Sequence, residues 1–274
     1  MNKEDKKKKK LKLKLQFKLI LIIMFTILYA FFIATKGIKI NEYKIETNKI
    51  DKNTDGIKII QFSDLHYGSS VNINDIKKIA NKINEIKPDV IIFTGDLIDE
   101  RYEISEEEKK KITKQFLNIN AELGKYYITG EEDYEDSLSI LNLSNFINID
   151  NNIQTIYKSS LNPIIIGGKD AMINHYKKNE NDNFFKILAL HNPNDLDDLT
   201  KYNIDVAVAG HTHNGQINIP KIKELFINGK YINNYEKINN TKLFINPGIG
   251  TSKINVRLFN KPTIYLYRIN QTLK

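Results

Sequence analysis

The amino-acid sequence predicts an α/β domain preceded by one transmembrane helix. Over residues 57–143, segments with the apolar spacing of strands alternate with segments of helical spacing, which is typical of an α/β fold. The second half of the chain is richer in strands, which predicts further sheet, partly antiparallel. A run of sixteen uncharged residues, 19–34, precedes the domain and predicts the membrane span.

Residues 19–34 are apolar on every side, so they fit poorly to a core helix, which would have a polar face. Because Lys18 can extend its ammonium group to the headgroups, the segment just spans a bilayer core. The main alternative is a signal peptide, whose apolar region is shorter and ends in small residues two positions apart. Ala30 and Ala34 are four positions apart. We therefore predict an uncleaved anchor at residues 19–35.

The positive charge of the chain is concentrated at its N-terminus. Residues 1–18 contain nine lysines and carry a net charge of +7, whereas the whole 274-residue chain carries +8. The rest of the chain is therefore nearly neutral, and we expect no nucleic-acid partner. The positive-inside rule predicts a cytoplasmic tail at residues 1–18 and an extracytoplasmic domain at the cell membrane, although five further lysines follow the span.

The remaining elements follow in order. Residues 36–56 are polar and end in a turn-forming Asn-Thr-Asp-Gly sequence, so we predict a connector there, with one strand near residues 38–45, and a domain over residues 57–274. Ser105 and Glu108 form a capping-box pattern at the start of a helix. Strands are predicted at residues 57–62, 90–93, 126–128, 153–157, 163–166, 185–190 and 205–209, and helices at 75–86, 105–120 and 137–143.

Five predicted strands end in residues that can bind a metal ion. In open α/β sheets the ligand site lies beyond the carboxyl ends of the strands, so these distant residues are expected to meet. Each motif alone is consistent with a turn or a helix cap, but together they include four of the five histidines. The chain has no cysteine, so His, Asp, Glu or Asn must bind any metal. The residues are Asp64 and His66, Asp96, Glu131, His191, and His211 with His213.

This ordered set resembles the motifs of the calcineurin-like metallophosphoesterase superfamily, over residues 57–269. The family pattern runs Asp-x-His, Gly-Asp, Gly-Asn-His-Asp/Glu, a lone His and Gly-His-x-His. Within the family, the chain looks like a branch of small membrane-associated bacterial phosphoesterases. The matching segments are Asp64-Leu65-His66, Gly95-Asp96, Gly130-Glu131-Glu132-Asp133, His191, Gly210-His211-Thr212-His213 and Pro247-Gly-Ile-Gly-Thr-Ser252.

The resemblance implies a four-layer α/β/β/α metallophosphoesterase sandwich with a site for two divalent metal ions. Two cations close together need a shared anion, and such a pair can clamp a phosphate and generate hydroxide for in-line attack. Mixed nitrogen and oxygen ligands suit Mn, Fe or Zn. By position, the resemblance assigns Asp64, His66 and His213 to one ion, His191 and His211 to the other, and Asp96 to a bridge between them.

Glu131 and Glu132 stand where the family motif has Asn and His. In the family, the Asn binds the second metal, and the His stabilises the transition state or protonates the leaving oxygen. We expect Glu131 to replace the Asn as a ligand, because a carboxylate oxygen binds such cations well. Three roles stay open for Glu132: it faces away from the substrate, it is a catalytic acid in an unusual environment, or it marks a protein that binds metal with little catalysis.

The leading hypothesis is a membrane-anchored phosphoesterase that uses two divalent metal ions to hydrolyse a phosphomonoester, phosphodiester or pyrophosphate. The anchor confines the site to the outer membrane face, which favours cell-envelope or lipid-linked phosphates. The alternative, motivated by Glu131 and Glu132, is a metal-binding scaffold or sensor of the same fold with weak or no activity. The fifth histidine, His175, is predicted to lie in a loop.

Overall fold

The computed structural model describes residues 3–158, 162–178, 182–199, 201–225, 227 and 229–272. The helices in this part of the chain are α1 (Lys3–Phe32), α2 (Ile73–Ile86), α3 (Glu106–Leu117), α4 (Glu135–Leu143) and α5 (Lys169–Lys178), with short 3-10 helices at Pro193–Leu199 and Lys223–Leu225. The strands are β1 (Lys39–Thr47), β2 (Ile57–Phe62), β3 (Val90–Phe93), β4 (Lys125–Tyr127), β5 (Phe146–Asn148), β6 (Gln154–Ile156), β7 (Ile164–Gly167), β8 (Phe185–Ala189), β9 (Val206–Ala209), β10 (Tyr235–Ile238), β11 (Thr241–Ile245) and β12 (Thr263–Gln271).

These strands form two six-stranded sheets within the described residues, with the orders β1-β12-β2-β3-β4-β5 and β10-β11-β9-β8-β7-β6. Strands β2, β3, β4 and β5 are parallel to one another, as are β7, β8, β9 and β11. The pairs β12–β2, β6–β7 and β10–β11 are antiparallel. In each sheet the parallel strands therefore end at one shared edge, where the predicted ligands follow them.

Three apolar cores separate four layers, which confirms the predicted α/β/β/α sandwich. Adjacent residues of β2 point to opposite faces of their sheet, as the pleat requires. Ile59 belongs to the core between the two sheets, together with Val208. Ile60 belongs to the core between the first sheet and helices α2 to α4, together with Ile79. The second sheet packs its outer face on α5 and the longer 3-10 helix, with Met172 in that core.

Helices α2 and α3 begin where the sequence provides capping boxes. Asn72 caps α2 reciprocally with Asp75, and Ser105 caps α3 with Glu108, which satisfies backbone amides that lack partners in the first turn. The buried face of α2 has the i, i+3, i+4, i+7 spacing of one helical stripe. Its residues are Ile76, Ile79, Ala80 and Ile83.

Helix α1 has 30 residues, and its segment Glu4–Phe32 is long and apolar enough to cross a membrane. The helix ends at Phe32 rather than at residue 35, and it extends back through the lysine-rich tail. Its C-terminal end packs on the domain: Ala30 and Ala34 are buried. The carbonyl of Ala30 also accepts a hydrogen bond of 3.1 Å from the backbone amide of Arg257. The candidate anchor is therefore in direct contact with the domain.

Strand β1 confirms the strand predicted near residues 38–45, and it pairs in parallel with β12 at the edge of the first sheet. Other elements differ from the sequence analysis. Helix α5 contains His175, which we had predicted to lie in a loop. Strands β5, β10, β11 and β12 were also missed. Short strands, and strands held between two neighbours, are fixed by pairing with distant segments rather than by a pattern of their own.

Candidate metal centre

Five loops at one edge of the two sheets bring the predicted site residues together. Three loops come from the first sheet and two from the second, and they meet around a cleft of about 400 Å³. The residues are Asp64 and His66 after β2, Asp96 after β3, Glu131 and Glu132 after β4, His191 after β8, and His211 and His213 after β9. Residues separated by up to 149 positions thus share one site.

Asp64, His66 and His213 form what we call the inner half of the site. Their ligand atoms all lie within 4.8 Å of one another. Nε2 of His66 lies 3.1 Å from Nε2 of His213, and that atom lies 3.8 Å from Oδ1 of Asp64. Two imidazole nitrogens and a carboxylate that converge in this way can bind one cation.

His191, His211 and Glu131 form the outer half. Nδ1 of His211 lies 3.4 Å from Oε1 of Glu131, and the rings of His191 and His211 are 5.1 Å apart. Asp96 lies between the halves, with its Oδ2 at 3.3 Å from Nε2 of His191 and 3.9 Å from Nε2 of His66. One carboxylate oxygen is therefore within reach of both halves.

The loops that carry these ligands have unusual backbone conformations. Non-glycine residues seldom adopt positive φ, which is sterically costly and concentrates at functional sites. Such angles occur at five candidate ligands, namely Asp64, His66, Asp96, His211 and His213. Gly210 permits close approach of two loops, because a Cβ there would lie 2.0 Å from the Ser63 hydroxyl. The fold thus accepts backbone strain in order to direct these side chains inward.

The buried charges of the site affect one another strongly. Burial raises the pKa of Asp64, and it keeps the pKa of His213 well below the usual value, so that this imidazole is neutral. Burial also opposes protonation of His191, but the carboxylates of Asp96 and Asp64 outweigh it and raise the pKa of His191 to about 10. The same carboxylates that hold a proton here would attract a metal cation.

Hydrogen bonds select which nitrogen of two histidines is free to bind a metal. Nδ1 of His66 donates to Oε2 of Glu132 at 2.9 Å, and Nδ1 of His191 donates to the carbonyl of Thr94 at 2.8 Å. In a neutral imidazole the other nitrogen, Nε2, then carries the lone pair. Both rings therefore present Nε2 towards the Asp96 carboxylate, in the manner of metal-binding histidines with an oriented outer nitrogen.

The carboxylate of Glu132, which we had considered as a catalytic acid, is engaged by the protein. Its Oε2 accepts hydrogen bonds from Nδ1 of His66 and, at 3.1 Å, from the backbone amide of Glu100. The side chain is only 14% exposed. The side chain of Glu131, by contrast, is 63% exposed and contacts His211.

Residues outside the predicted set hold the loops in place. The Asp133 carboxylate accepts hydrogen bonds from the backbone amides of Asp96, Leu97 and Gly130, at 2.8, 2.9 and 2.9 Å, and so ties the loop after β4 to the loop after β3. The side-chain amide of Asn260 donates to the carbonyl of His213 at 2.6 Å. Asp133 is signalled by the last position of its motif, whereas Asn260 has no local sequence signal.

The residues present fit a bound divalent metal. Among the described residues, Oδ2 of Asp64 and Nε2 of His191 are buried side-chain atoms of the site without a hydrogen-bond partner. Such groups are costly to bury unless something binds them. The carboxylates of Asp64, Asp96, Glu131 and Glu132 would also repel an anionic ligand unless cations offset their charge.

Comparison with known proteins gives an independent result. The sequence profile described as calcineurin-like phosphoesterase matches residues 57–215. The metallophosphoesterase YkuE of Bacillus subtilis is 29% identical, over 89% of this chain and 90% of that protein. A transmembrane protein with metallophosphoesterase domain of Danio rerio is 23% identical, over 86% of this chain and 58% of that protein. UDP-2,3-diacylglucosamine pyrophosphatase LpxG of Chlamydia muridarum is 25% identical, over 78% of this chain and 83% of that protein.

Proposed function

Because the chain belongs to the calcineurin-like phosphoesterase family, we propose that it is a membrane-anchored phosphoesterase whose activity depends on two divalent metal ions. Its substrate would be a phosphomonoester, a phosphodiester or a pyrophosphate. The observation that carries the proposal is the convergence of five strand ends from two sheets on one cleft. Buried ligand atoms without protein partners lie at that convergence.

Each half of the site would hold one ion. The inner half offers Asp64, His66 and His213, the outer half offers His191, His211 and Glu131, and Asp96 would bridge them. Two divalent ions held there would act as Lewis acids on the phosphate and lower the pKa of the attacking water. We propose that the two ions are Mn, Fe or Zn, since the ligand atoms include both imidazole nitrogens and carboxylate oxygens.

We assign Glu132 to positioning His66 rather than to proton transfer. Its Oε2 fixes the His66 tautomer in which Nε2 is the ligand atom. Oε2 accepts both of its hydrogen bonds from the protein, from the His66 imidazole and from the Glu100 amide, so this oxygen is engaged with the protein rather than available as a proton donor to a leaving group. Substrates with good leaving groups would need no such donor.

Activity is tested on the full-length protein in detergent. We expect the Mn²⁺-loaded protein to hydrolyse bis-p-nitrophenyl phosphate or p-nitrophenyl phosphate, with loss of turnover after chelation and recovery when metal is returned. Metal content measured on the same sample separates an inactive site from an empty one. If the protein holds two metal ions per chain and hydrolyses neither ester, the result would support the alternative hypothesis of a metal-binding scaffold or sensor. Glu131 and Glu132 are the residues that suggest this alternative.

The proposed organisation is a cytoplasmic tail at residues 1–18, an anchor at 19–35, a connector at 36–56 and the phosphoesterase domain at 57–274. The nine lysines before the apolar segment support a cytoplasmic N-terminus, and so an extracytoplasmic domain. The diacylated substrate in the name of the Chlamydia relative supports a cell-envelope or lipid phosphate as the substrate.

This topology has a direct test, because the chain contains no cysteine. Single cysteines are introduced by Lys8→Cys in the tail and by Glu85→Cys on the exposed face of α2. A membrane-impermeant maleimide should label only the Glu85→Cys protein in intact cells, and both proteins after lysis. Labelling of the Lys8→Cys protein alone in intact cells would reverse the proposed orientation.

A further inference from the structure

Resting on the proposed function, we infer that the substrate is an amphiphile. Its phosphate ester lies at the metal centre, and its hydrocarbon chain leaves the cleft past residues 252–260 and enters the bilayer. We call residues 252–260 the bridging loop. This loop contacts the segment of the cleft that carries His213 on one side and the anchor on the other.

The cleft is lined by two chemically different sets of residues. One set consists of the imidazoles and carboxylates of the metal centre. The other set includes four aliphatic side chains, which we call the apolar wall, beside the polar Gln216, Ser252 and Lys253; the four are Ile217, Ile227, Ile254 and Val256. A hydroxyl-rich phosphate ester would bury polar groups against this wall without partners, whereas a hydrocarbon chain gains free energy from its burial. The lining therefore fits a molecule with a phosphate at one end and an apolar chain at the other.

The bridging loop is fixed to the metal centre. The side-chain amide of Asn260 donates to the carbonyls of His213 and Gly215, at 2.6 and 3.0 Å. The backbone amide of Leu258 donates to the carbonyl of Gln216 at 2.9 Å. Because these bonds join the loop to the segment that carries the inner-half histidine, the apolar wall has a defined position relative to the metal ligands.

The same loop is fixed to the end of the anchor. The backbone amide of Arg257 donates to the carbonyl of Ala30, and the buried Arg257 guanidinium donates to the carbonyls of Pro247 and Gly248. Ala30 precedes the end of α1 at Phe32 by two residues, which is about 3 Å along a helix. The bridging loop therefore lies at the level where the membrane-spanning helix ends.

The solvent side of the bridging loop has the composition of a membrane-inserting surface. Ile254 is 60% exposed and Phe259 is 72% exposed, and Lys253 and Lys261 stand beside them in the chain. Apolar side chains enter the boundary between headgroups and acyl chains, while neighbouring lysines reach the lipid phosphates. Ile254 belongs both to this surface and to the cleft wall, so the cleft and the exposed side of the bridging loop share an apolar residue.

The test compares two esters with the same leaving group. The full-length protein is reconstituted with Mn²⁺ in phosphatidylcholine vesicles, and kcat/KM is measured with hexadecyl p-nitrophenyl phosphate and with ethyl p-nitrophenyl phosphate. Wild-type protein should prefer the hexadecyl ester. Ile254→Asp should lower the ratio of the two values roughly tenfold or more, because a charged group would then face the chain. The vesicles concentrate the hexadecyl ester equally for every variant. A change in the ratio of the two kcat/KM values therefore measures the contribution of the bridging loop.

Two further variants make the result specific. Leu143→Asp changes a residue of α4 that is 64% exposed, as a matched control, and should keep the wild-type ratio. Phe259→Asp lies outside the cleft lining and should lower the ratio even if Ile254→Asp fails to fold. Metal content and melting temperature identify folded variants.

The outcomes separate this inference from the proposed function. Turnover of the ethyl ester without preference for the hexadecyl ester overturns the inference and leaves the phosphoesterase standing. So does a wild-type ratio in both loop variants. Turnover of neither ester by metal-loaded wild-type protein overturns the proposed function and the inference with it.

Discussion

The two halves of the candidate metal centre use similar ligands but differ in how firmly the fold holds them. In the inner half, the side chains of Asp64, His66 and His213 are 0%, 1% and 5% exposed. In the outer half, His211 is 24% exposed and Glu131 is 63% exposed. The inner half is therefore enclosed by the protein, whereas the outer half combines the buried His191, which is 8% exposed, with two residues that are open to solvent.

This difference in exposure indicates which positions of the site can tolerate amino-acid substitution. Buried ligands are already ordered by their neighbours, so they lose little conformational entropy when an ion binds, whereas exposed ligands must be ordered by the ion itself. We therefore expect the inner ion to bind more tightly. The outer half contains Glu131, which stands where the family motif has Asn. A larger, charged side chain is accommodated most easily at an exposed position such as this one.

Asp96→Asn should have the largest effect, because it removes a carboxylate oxygen that lies 3.3 Å from Nε2 of His191 and 3.9 Å from Nε2 of His66. Its Oδ1 could still accept from the Glu132 amide, so the loop should keep its shape. We expect kcat to fall by more than the roughly 10–100-fold that follows loss of an outer-shell partner. Steady-state kinetics and metal content measure this, with Asp136→Asn on the surface as the control. Near-normal kcat would show that the two halves need no shared anion.

The comparison of His213→Ala with His211→Ala tests the two halves directly, since the residues are two positions apart on one loop. His213→Ala should lose more metal and more activity. It should also lower the melting temperature, because removing a buried side chain of this size leaves a cavity, and such truncations cost about 2–5 kcal/mol. His211→Ala should lose mainly one ion, since water can replace a partly exposed ligand. Calorimetric metal titration and thermal melting provide the measurements; equal losses in both variants would erase the distinction between halves.

Glu132→Gln should have an intermediate effect that is transmitted through His66. A glutamine can keep one contact to Nδ1 but removes the charge that holds the tautomer, so we expect roughly 10–100-fold weaker metal binding or activity. Glu135→Gln, at an exposed position three residues further along the chain, is the matched control, since it leaves His66 and the proposed ligands untouched. If Glu132 were instead the catalytic acid, metal affinity would stay normal, and the loss would be greatest for esters with poor leaving groups.

Glu131→Asn should have the smallest effect. The side chain is largely exposed, and an exposed charge contributes only about 0–1 kcal/mol. Removing its negative charge should lower KM for an anionic ester a few-fold at most and leave kcat little changed. The KM decrease should shrink as salt is raised, because salt screens surface charges. A large fall in kcat would mean that this open position is as strictly constrained as the inner half.

Much of the fold and most of the clustered residues were predictable from local patterns. Strand β3 is a short apolar run followed at once by Gly95 and Asp96, and such a signal needs no tertiary information. Strand β12 could not be recognised in this way, because it lies between β1 and β2 and its identity depends on those distant partners.

The amino-acid sequence by itself determined which residues can form the site and which segment is apolar enough to cross a membrane. Side-chain chemistry and spacing are local properties, so they can be read from the amino-acid sequence without knowledge of the fold. Only the tertiary structure decided that Glu132 bonds to His66, that Glu131 is exposed, and that Arg257 joins the site's loop to the anchor at Ala30. These contacts join residues far apart in the chain, and their direction depends on backbone angles and packing that no short motif encodes.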